Sequence, residues 1–233
     1  MWSPFSISKI YSTILFIKKQ KYFIGIDEAG RGPLAGPVSV GVACVPDGFD
    51  WNQIPGVNDS KKLTENKRDE IFEITKKLKK EGKLQVEVTM VGARVIDSIG
   101  IVPSIQRAMN RALNRLEKKQ NGTVKSTILS FQKMAIVKLD GGLKAPDEYL
   151  NQETIVKGDS KEKVIGLASI MAKVTRDRYM IKKTLKPDFQ AYAFEAHKGY
   201  GTKKHREAIA ECGLSSEHRQ SFCRNIVFNN PSD

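Results

Sequence analysis

The chain has 233 residues, 40% of them hydrophobic, which is enough for one large α/β domain and excludes wholesale disorder. Lysine and arginine total 39 against 26 acids, a net charge of +13 that favours polyanionic partners such as nucleic acid without by itself identifying an enzyme. Cys44, Cys212 and Cys223 show no C-x-x-C spacing, which argues against zinc and suits a reducing, cytoplasmic compartment.

Residues 1–20 are expected to be an extension outside the core. Their apolar run, Tyr11–Ile17, is too short to span a bilayer, and no small-residue cleavage site marks a signal peptide. Lys21–Ile26 and Pro37–Val45 read as strands, the second rich in valine. Thr64 can cap a helix running to about Lys80, with Ile71, Phe72, Ile74 and Leu78 on its apolar side. Leu84–Val91 alternates apolar and polar residues and reads as a third strand. Ile101–Lys119 is helical, with Ile105, Ala108, Met109, Ala112, Leu113 and Leu116 at three- and four-residue spacing. Ala135–Leu139 and Thr154–Val156 are short strands. A long helix over about Glu162–Lys183 stops before Pro187, and Thr202–Glu211 is a shorter one closed by Gly213. Strands first and helices later predict an α/β fold: a central mixed sheet flanked by helices, with a helical C-terminal portion. A single domain over 21–228 and a tail at 229–233 are expected.

Basic residues cluster at 107–125, where Arg107, Arg111, Arg115, Lys118, Lys119 and Lys125 face one acid, Glu117, and again at 173–206. Either cluster alone reads as a solvated helix face; two in one basic chain point to a surface that tracks phosphates.

Three strands deliver carboxylates. Ile24-Gly25-Ile26 runs into Asp27-Glu28 and a glycine-rich turn, Ile136-Val137-Lys138-Leu139 ends on Asp140, and Val156-Lys157-Gly158 leads to Asp159. In one sheet these acids would meet. Two unit charges about 4 Å apart interact by roughly 4 kcal/mol at an effective dielectric of about 20, so such a cluster takes up protons or cations. Oxygen-only ligands suit Mg2+ or Mn2+, and a pair of such ions can hydrolyse a phosphodiester. Because adjacent strand residues face opposite ways, Asp27 and Glu28 are expected to share a site only where the strand frays. Singly, Asp140-Gly141 reads as a turn, Asp159-Ser160 as a helix cap and Asp27-Glu28 as a surface turn. Gly30-Arg31-Gly32-Pro33-Leu34-Ala35 fits a loose dinucleotide pattern, but the valine-rich strand that follows it, where a helix is required, argues against that reading.

The run Gly25–Val38 resembles the signature of bacterial type 2 ribonuclease H, as do Asp59-Ser60-Lys61-Lys62-Leu63 and Lys157-Gly158-Asp159-Ser160. Ala168–Asp177, His197-Lys198-Gly199-Tyr200-Gly201-Thr202 and His218-Arg219-Gln220-Ser221-Phe222 follow in the family's order, so the likeness covers about residues 21–223. It implies a ribonuclease H-like fold, two Mg2+ or Mn2+ ions on Asp27, Glu28, Asp140 and Asp159, and a Gly30-Arg31-Gly32 turn on the backbone at an RNA–DNA junction. It implies that Tyr200 packs on the deoxyribose just beyond the ribonucleotide; without the motif, Tyr200 reads as a half-buried aromatic. The implied activity is cleavage of RNA in RNA/DNA hybrids and incision 5′ of ribonucleotides in duplex DNA, by a monomer, with no membrane partner.

Lys61, Lys62, Lys198 and Arg219 are candidate phosphate contacts. Ser169, Lys173, Arg176 and Asp177 read first as an ion-pair network, since 173 and 177 are four apart, with Ser169 kept as a substrate-binding candidate. Asp177 is a second candidate for the fourth acid, but Asp159 matches the family's position better. A nucleic-acid binder without chemistry and a junction resolvase are the alternative functions.

Overall fold

The computed structural model describes residues 21–57, 62–121 and 131–226. The expected extension at 1–20, Lys61 and the expected tail at 229–233 lie outside them.

Five strands form one mixed sheet: β1 (Tyr22–Ala29), β2 (Val38–Pro46), β3 (Gln85–Val91), β4 (Ala135–Asp140) and β5 (Gln152–Ile155). The order is β3-β2-β1-β4-β5, with β1 antiparallel to β2, β2 antiparallel to β3, and β1, β4 and β5 parallel. The helices are α1 (Glu65–Lys80), α2 (Ala93–Ile99), α3 (Ile101–Asn121), α4 (Phe131–Met134), α5 (Gly158–Lys161), α6 (Lys163–Thr184), α7 (Pro187–Gln190), α8 (Phe194–His197) and α9 (Lys203–Cys212). Thr64 caps α1 by accepting the Lys67 amide, and Thr202 caps α9 by accepting that of His205. Pro187 ends nothing itself: α6 has stopped at Thr184, and the proline opens α7, where its missing N–H costs little. The mixed sheet with helices on its faces is as the sequence predicted. None of the described helices is long and apolar enough to cross a membrane.

The strand alternation sorts side chains to two faces. Ile24, Ile26, Val38, Val40, Val42 and Val137 pack with Ile105, Met109, Leu113 and Leu116 of α3. On the other face, Ala43, Val45 and Val86 meet Ile71 and Leu78 of α1 and Ile165, Leu167, Ala168 and Ile170 of α6. Helix α6 is buried nearly all round and lies hard against the sheet. A Cβ on Gly25 would stand 2.1 Å from the Val164 carbonyl oxygen, and one on Gly41 would stand 2.2 Å from that of Ala168. Only glycine permits that approach, and Gly41 is the β2 partner of Asp27. The contact therefore sets Ser169, the next residue on α6, beside the acidic end of β1. A third, smaller core joins Ala35 and Met180 to Phe189, Tyr192, Phe194, Ile209 and Cys223.

Candidate active site

Strand β1 carries Asp27 and Glu28 to the rim of the sheet. Its parallel pairing with β4 stops at Ile26↔Leu139, so the next residues, Asp27 and Asp140, stand at neighbouring strand ends. The expected fraying is only half right. β1 loses β4 there, but it stays paired with β2 through Ala29↔Ser39. Both acids nonetheless line one pocket of about 450 Å³, together with Gly30, Arg31, Gly32, Arg68, Asp140, Ser169, Lys173 and Tyr200. The pocket lies over the end of β1 that β4 leaves uncovered, which is how consecutive residues of one strand reach it.

Asp27 is the buried member of the group. Burial pushes its carboxyl up to about 8; the Ser169 hydroxyl donates to it and opposes the rise, while the carboxylates of Glu28 and Asp140 add to it. Each of the three acids rests on a donor. Asp27 Oδ1 accepts the Glu28 amide at 2.7 Å, Glu28 pairs with the exposed Arg31 at 3.1 Å, and Asp140 Oδ1 accepts the Gly158 amide at 2.6 Å. Their chemistry fits a hard divalent cation, since oxygens alone converge and a buried carboxylate beside two others wants positive charge. Their present placement does not close a coordination sphere: among the described residues, no three of His, Cys, Asp and Glu are grouped to hold a metal ion.

Asp159 is buried but is not among the residues lining the pocket. It is not the helix cap that the dipeptide suggested: Lys157, in the left-handed region at φ 56°, caps α5, and Asp159 lies inside the helix. Its chain neighbour Gly158 is the residue that holds Asp140. The Asp140-Gly141 turn is present, with Gly141 at φ 59°, and it coexists with the carboxylate's place in the pocket.

The α6 residues divide. Lys173 and Asp177 form the expected ion pair, at 2.6 Å, and Lys173 also lines the pocket. Arg176 takes no part in that network. It is fully buried and donates to the carbonyls of Ala35, Pro37 and Lys198 at 2.9–3.0 Å. Arg219 is likewise no phosphate contact: it is fully buried and donates to the carbonyls of Gly30, Arg31 and Gly36. Tyr200 is 44% exposed, with Lys173 Nζ 5.9 Å and Arg176 Cζ 5.7 Å from its ring centroid. Lys198 sits at φ 52° and gives its ammonium to the Glu195 carbonyl; neither it nor the exposed Lys62 lines the pocket. Sequence reasoning did not single out Arg68. It lies in the first turn of α1, four residues beyond the Thr64 cap, and nothing in its spacing marks it.

A sequence model described as ribonuclease HII matches residues 24–226. Ribonuclease HII of Endomicrobium trichonymphae is 42% identical over 198 residues, 85% of this chain and 83% of that protein. The Clostridioides difficile ribonuclease HII is 43% identical over 206 residues, 88% of this chain and 71% of that protein. Among solved structures, ribonuclease H2 of Pyrococcus horikoshii superposes with a TM-score of 0.59 at 26% identity, covering 88% of this chain and 96% of its own.

Proposed function

The chain belongs to the ribonuclease HII family and is an endoribonuclease acting on the RNA of RNA/DNA hybrids; from that premise we propose that it also incises duplex DNA 5′ of an embedded ribonucleotide, with two divalent cations, Mg2+ or Mn2+. A binder without chemistry and a junction resolvase, both open from the residues alone, fall away with family membership. The observation that carries the finer reading is the pocket itself: Asp27, Glu28 and Asp140 share it with the Gly30–Gly32 turn and the exposed ring of Tyr200.

Asp27, Glu28 and Asp140 would hold the ions, with Asp159 as the fourth acid. The chemistry such ions supply is activation of a water and neutralisation of charge at phosphorus, leaving 3′-hydroxyl and 5′-phosphate ends. The chain's own residues bind and orient. The Ser169 hydroxyl holds Asp27 in place. Arg68 and Lys173 put positive charge in the pocket where a phosphate must enter. The glycine turn lets main-chain groups approach the minor groove, where a 2′-hydroxyl distinguishes RNA from DNA. Tyr200 offers its ring to a sugar lacking that hydroxyl. Lys62 and Lys198 are assigned to flanking phosphates outside the pocket, and Lys61, by sequence alone, to a phosphate contact. The enzyme is read as a cytoplasmic monomer, which suits its three free cysteines.

The test is cleavage of a DNA duplex carrying one ribonucleotide, with Mg2+, Mn2+ and EDTA in turn, beside a uniform RNA/DNA hybrid. A cut on the 5′ side of the ribonucleotide with either metal and none in EDTA is expected. A hybrid that is cut beside a single-ribonucleotide duplex left intact would remove the finer reading.

A further inference from the structure

The motif His218–Phe222 has no place in the pocket, yet its arginine reaches the glycine turn from beneath. Arg219 donates to the carbonyl oxygens of Gly30 at 2.6 Å, Arg31 at 3.0 Å and Gly36 at 3.0 Å. No ion pair engages it among the described residues, so its positive charge is spent on backbone. The segment that carries it is itself stitched down. Its amide donates to the Leu34 carbonyl at 2.8 Å, and Asp97 accepts the amides of Gln220 and Ser221. Arg176 grips the same turn from the α6 side through Ala35 and Pro37.

In a trans peptide the C=O of one residue and the N–H of the next point in opposite directions; the described chain holds no cis bond. Drawing the carbonyls of Gly30 and Arg31 inward therefore turns the amides of Arg31 and Gly32 outward, on the pocket side that both residues line. Those two amides have no acceptor among the described residues. The later amides of the turn do: Leu34 and Ala35 donate to the Gly199 carbonyl and Gly36 to that of Glu217. The turn thus spends every amide after Pro33 on the fold and keeps two adjacent ones free.

We propose that Arg219 is the positioning residue of this turn: it aims the Arg31 and Gly32 amides as a donor pair for a sugar-phosphate oxygen of the bound strand. The inference rests on the reading of the pocket as the site for RNA-containing duplex. Two adjacent N–H groups converging on one oxygen form a concave anion site, and a buried guanidinium behind them adds favourable potential.

Arg219→Lys tests it, because it keeps the charge and loses the fork that binds three carbonyls at once. On a DNA duplex with one ribonucleotide and Mg2+, kcat/KM should fall on the order of 10- to 100-fold, carried by KM, because the amides hold the strand rather than the reacting groups. In the wild-type protein, hydrogen exchange at the Arg31 and Gly32 amides should slow when the same duplex is added in EDTA, and Arg219→Lys should lose that protection. A folded Arg219→Lys with kcat/KM within twofold of wild type, or a loss confined to kcat, would overturn the proposal. So would wild-type amides at 31 and 32 that gain no protection on binding, a result that stands even if the variant fails to fold. Wild-type protein that binds and cuts no ribonucleotide-containing duplex would instead count against the reading of the pocket.

Discussion

Glycines 30 and 32 occupy one turn for different reasons, and substitution separates them. At Gly30, with φ at +85°, an added Cβ would stand 2.0 Å from Arg176 Nε; at Gly32 it would meet nothing within 4 Å. Gly30→Ala is therefore expected to destabilise the protein by about 1–3 kcal/mol in denaturant unfolding. Gly32→Ala should unfold at the wild-type midpoint and yet lose at least tenfold in cleavage of RNA-containing duplex, because the space above position 32 is needed by the strand and not by the fold. Wild-type turnover in Gly32→Ala would show that the strand does not approach there. Asp27 separates stability from activity in the same way. Its carboxylate is buried beside Glu28 and Asp140. Asp27→Asn should abolish cleavage while unfolding in EDTA at an equal or higher denaturant concentration, by up to about 1–3 kcal/mol, since near neutral pH the metal-free fold must protonate a carboxyl that is ionised in the unfolded chain, a cost that asparagine lacks. Added Mg2+ should raise the unfolding midpoint of the wild type and not of the variant. At this scale the acids were legible, because apolar runs ending in carboxylates are a local pattern. The buried arginines were not. Apart from Lys198, the carbonyls that Arg176 and Arg219 bind lie 139–189 positions away in sequence, and no spacing rule reports such a contact.

Among the elements, the packing of α6 on β1 and β2 decides whether the acids meet. Gly41 opposes the Ala168 carbonyl oxygen, a backbone atom that cannot swing aside, and it pairs with Asp27 across the ladder. Gly41→Ala should force α6 off the sheet, costing about 1–3 kcal/mol or more in denaturant unfolding and displacing Ser169 from Asp27, so that activity falls further than stability alone explains. An alanine variant with wild-type stability and turnover would show that the helix has room to move. Every strand and every long helix within the described residues was legible from period and caps: Thr64, Thr202 and the α3 stripe each encode their element locally. What escaped were the one- to two-turn helices α2, α4, α5, α7 and α8, too short to show a period. Alternation predicts that consecutive residues such as Asp27 and Glu28 share a site only where the strand frays. The sheet resolves this by ending β4's pairing one residue earlier on that side only.

At the scale of the whole molecule, the third core joins the C-terminal segments to the pocket, and all three histidines of the chain pack against its Phe194 ring. Ser215 donates its amide to His218 Nδ1, which leaves the His218 Nε2–H to donate to His205 Nε2 at 3.0 Å; His205 Nδ1–H then donates to the carbonyl of Tyr200 at 2.9 Å. Gly199 donates its amide to His197 Nδ1, whose other nitrogen donates to the Tyr192 carbonyl. The bonds close only if every ring is neutral. Burial pushes both His205 and His218 down to about 4, their mutual repulsion adding for His218, and pushes His197 down as well. Neutral in the fold and protonated near 6.5 when unfolded, His205 and His218 make the unfolded chain bind more protons between these values. Their contribution to stability is therefore complete above about 6.5 and is lost as pH falls toward 4, by up to about 1.4 kcal/mol per pH unit for each ring. Asp27, raised to about 8 in the fold, works in the opposite sense over this range. Denaturant unfolding at pH 7, 6 and 5 should therefore show the decline most fully in Asp27→Asn, and there it should flatten when His218→Asn is added, whose amide nitrogen can still donate to His205 but takes up no proton. Because the folded rings stay neutral down to about 4, the bond from His205 to the Tyr200 carbonyl persists, and KM for RNA-containing duplex should stay level over the range in which stability declines. Stability that is level from pH 7 to pH 5 in Asp27→Asn would mean that His205 and His218 are not held neutral by the fold.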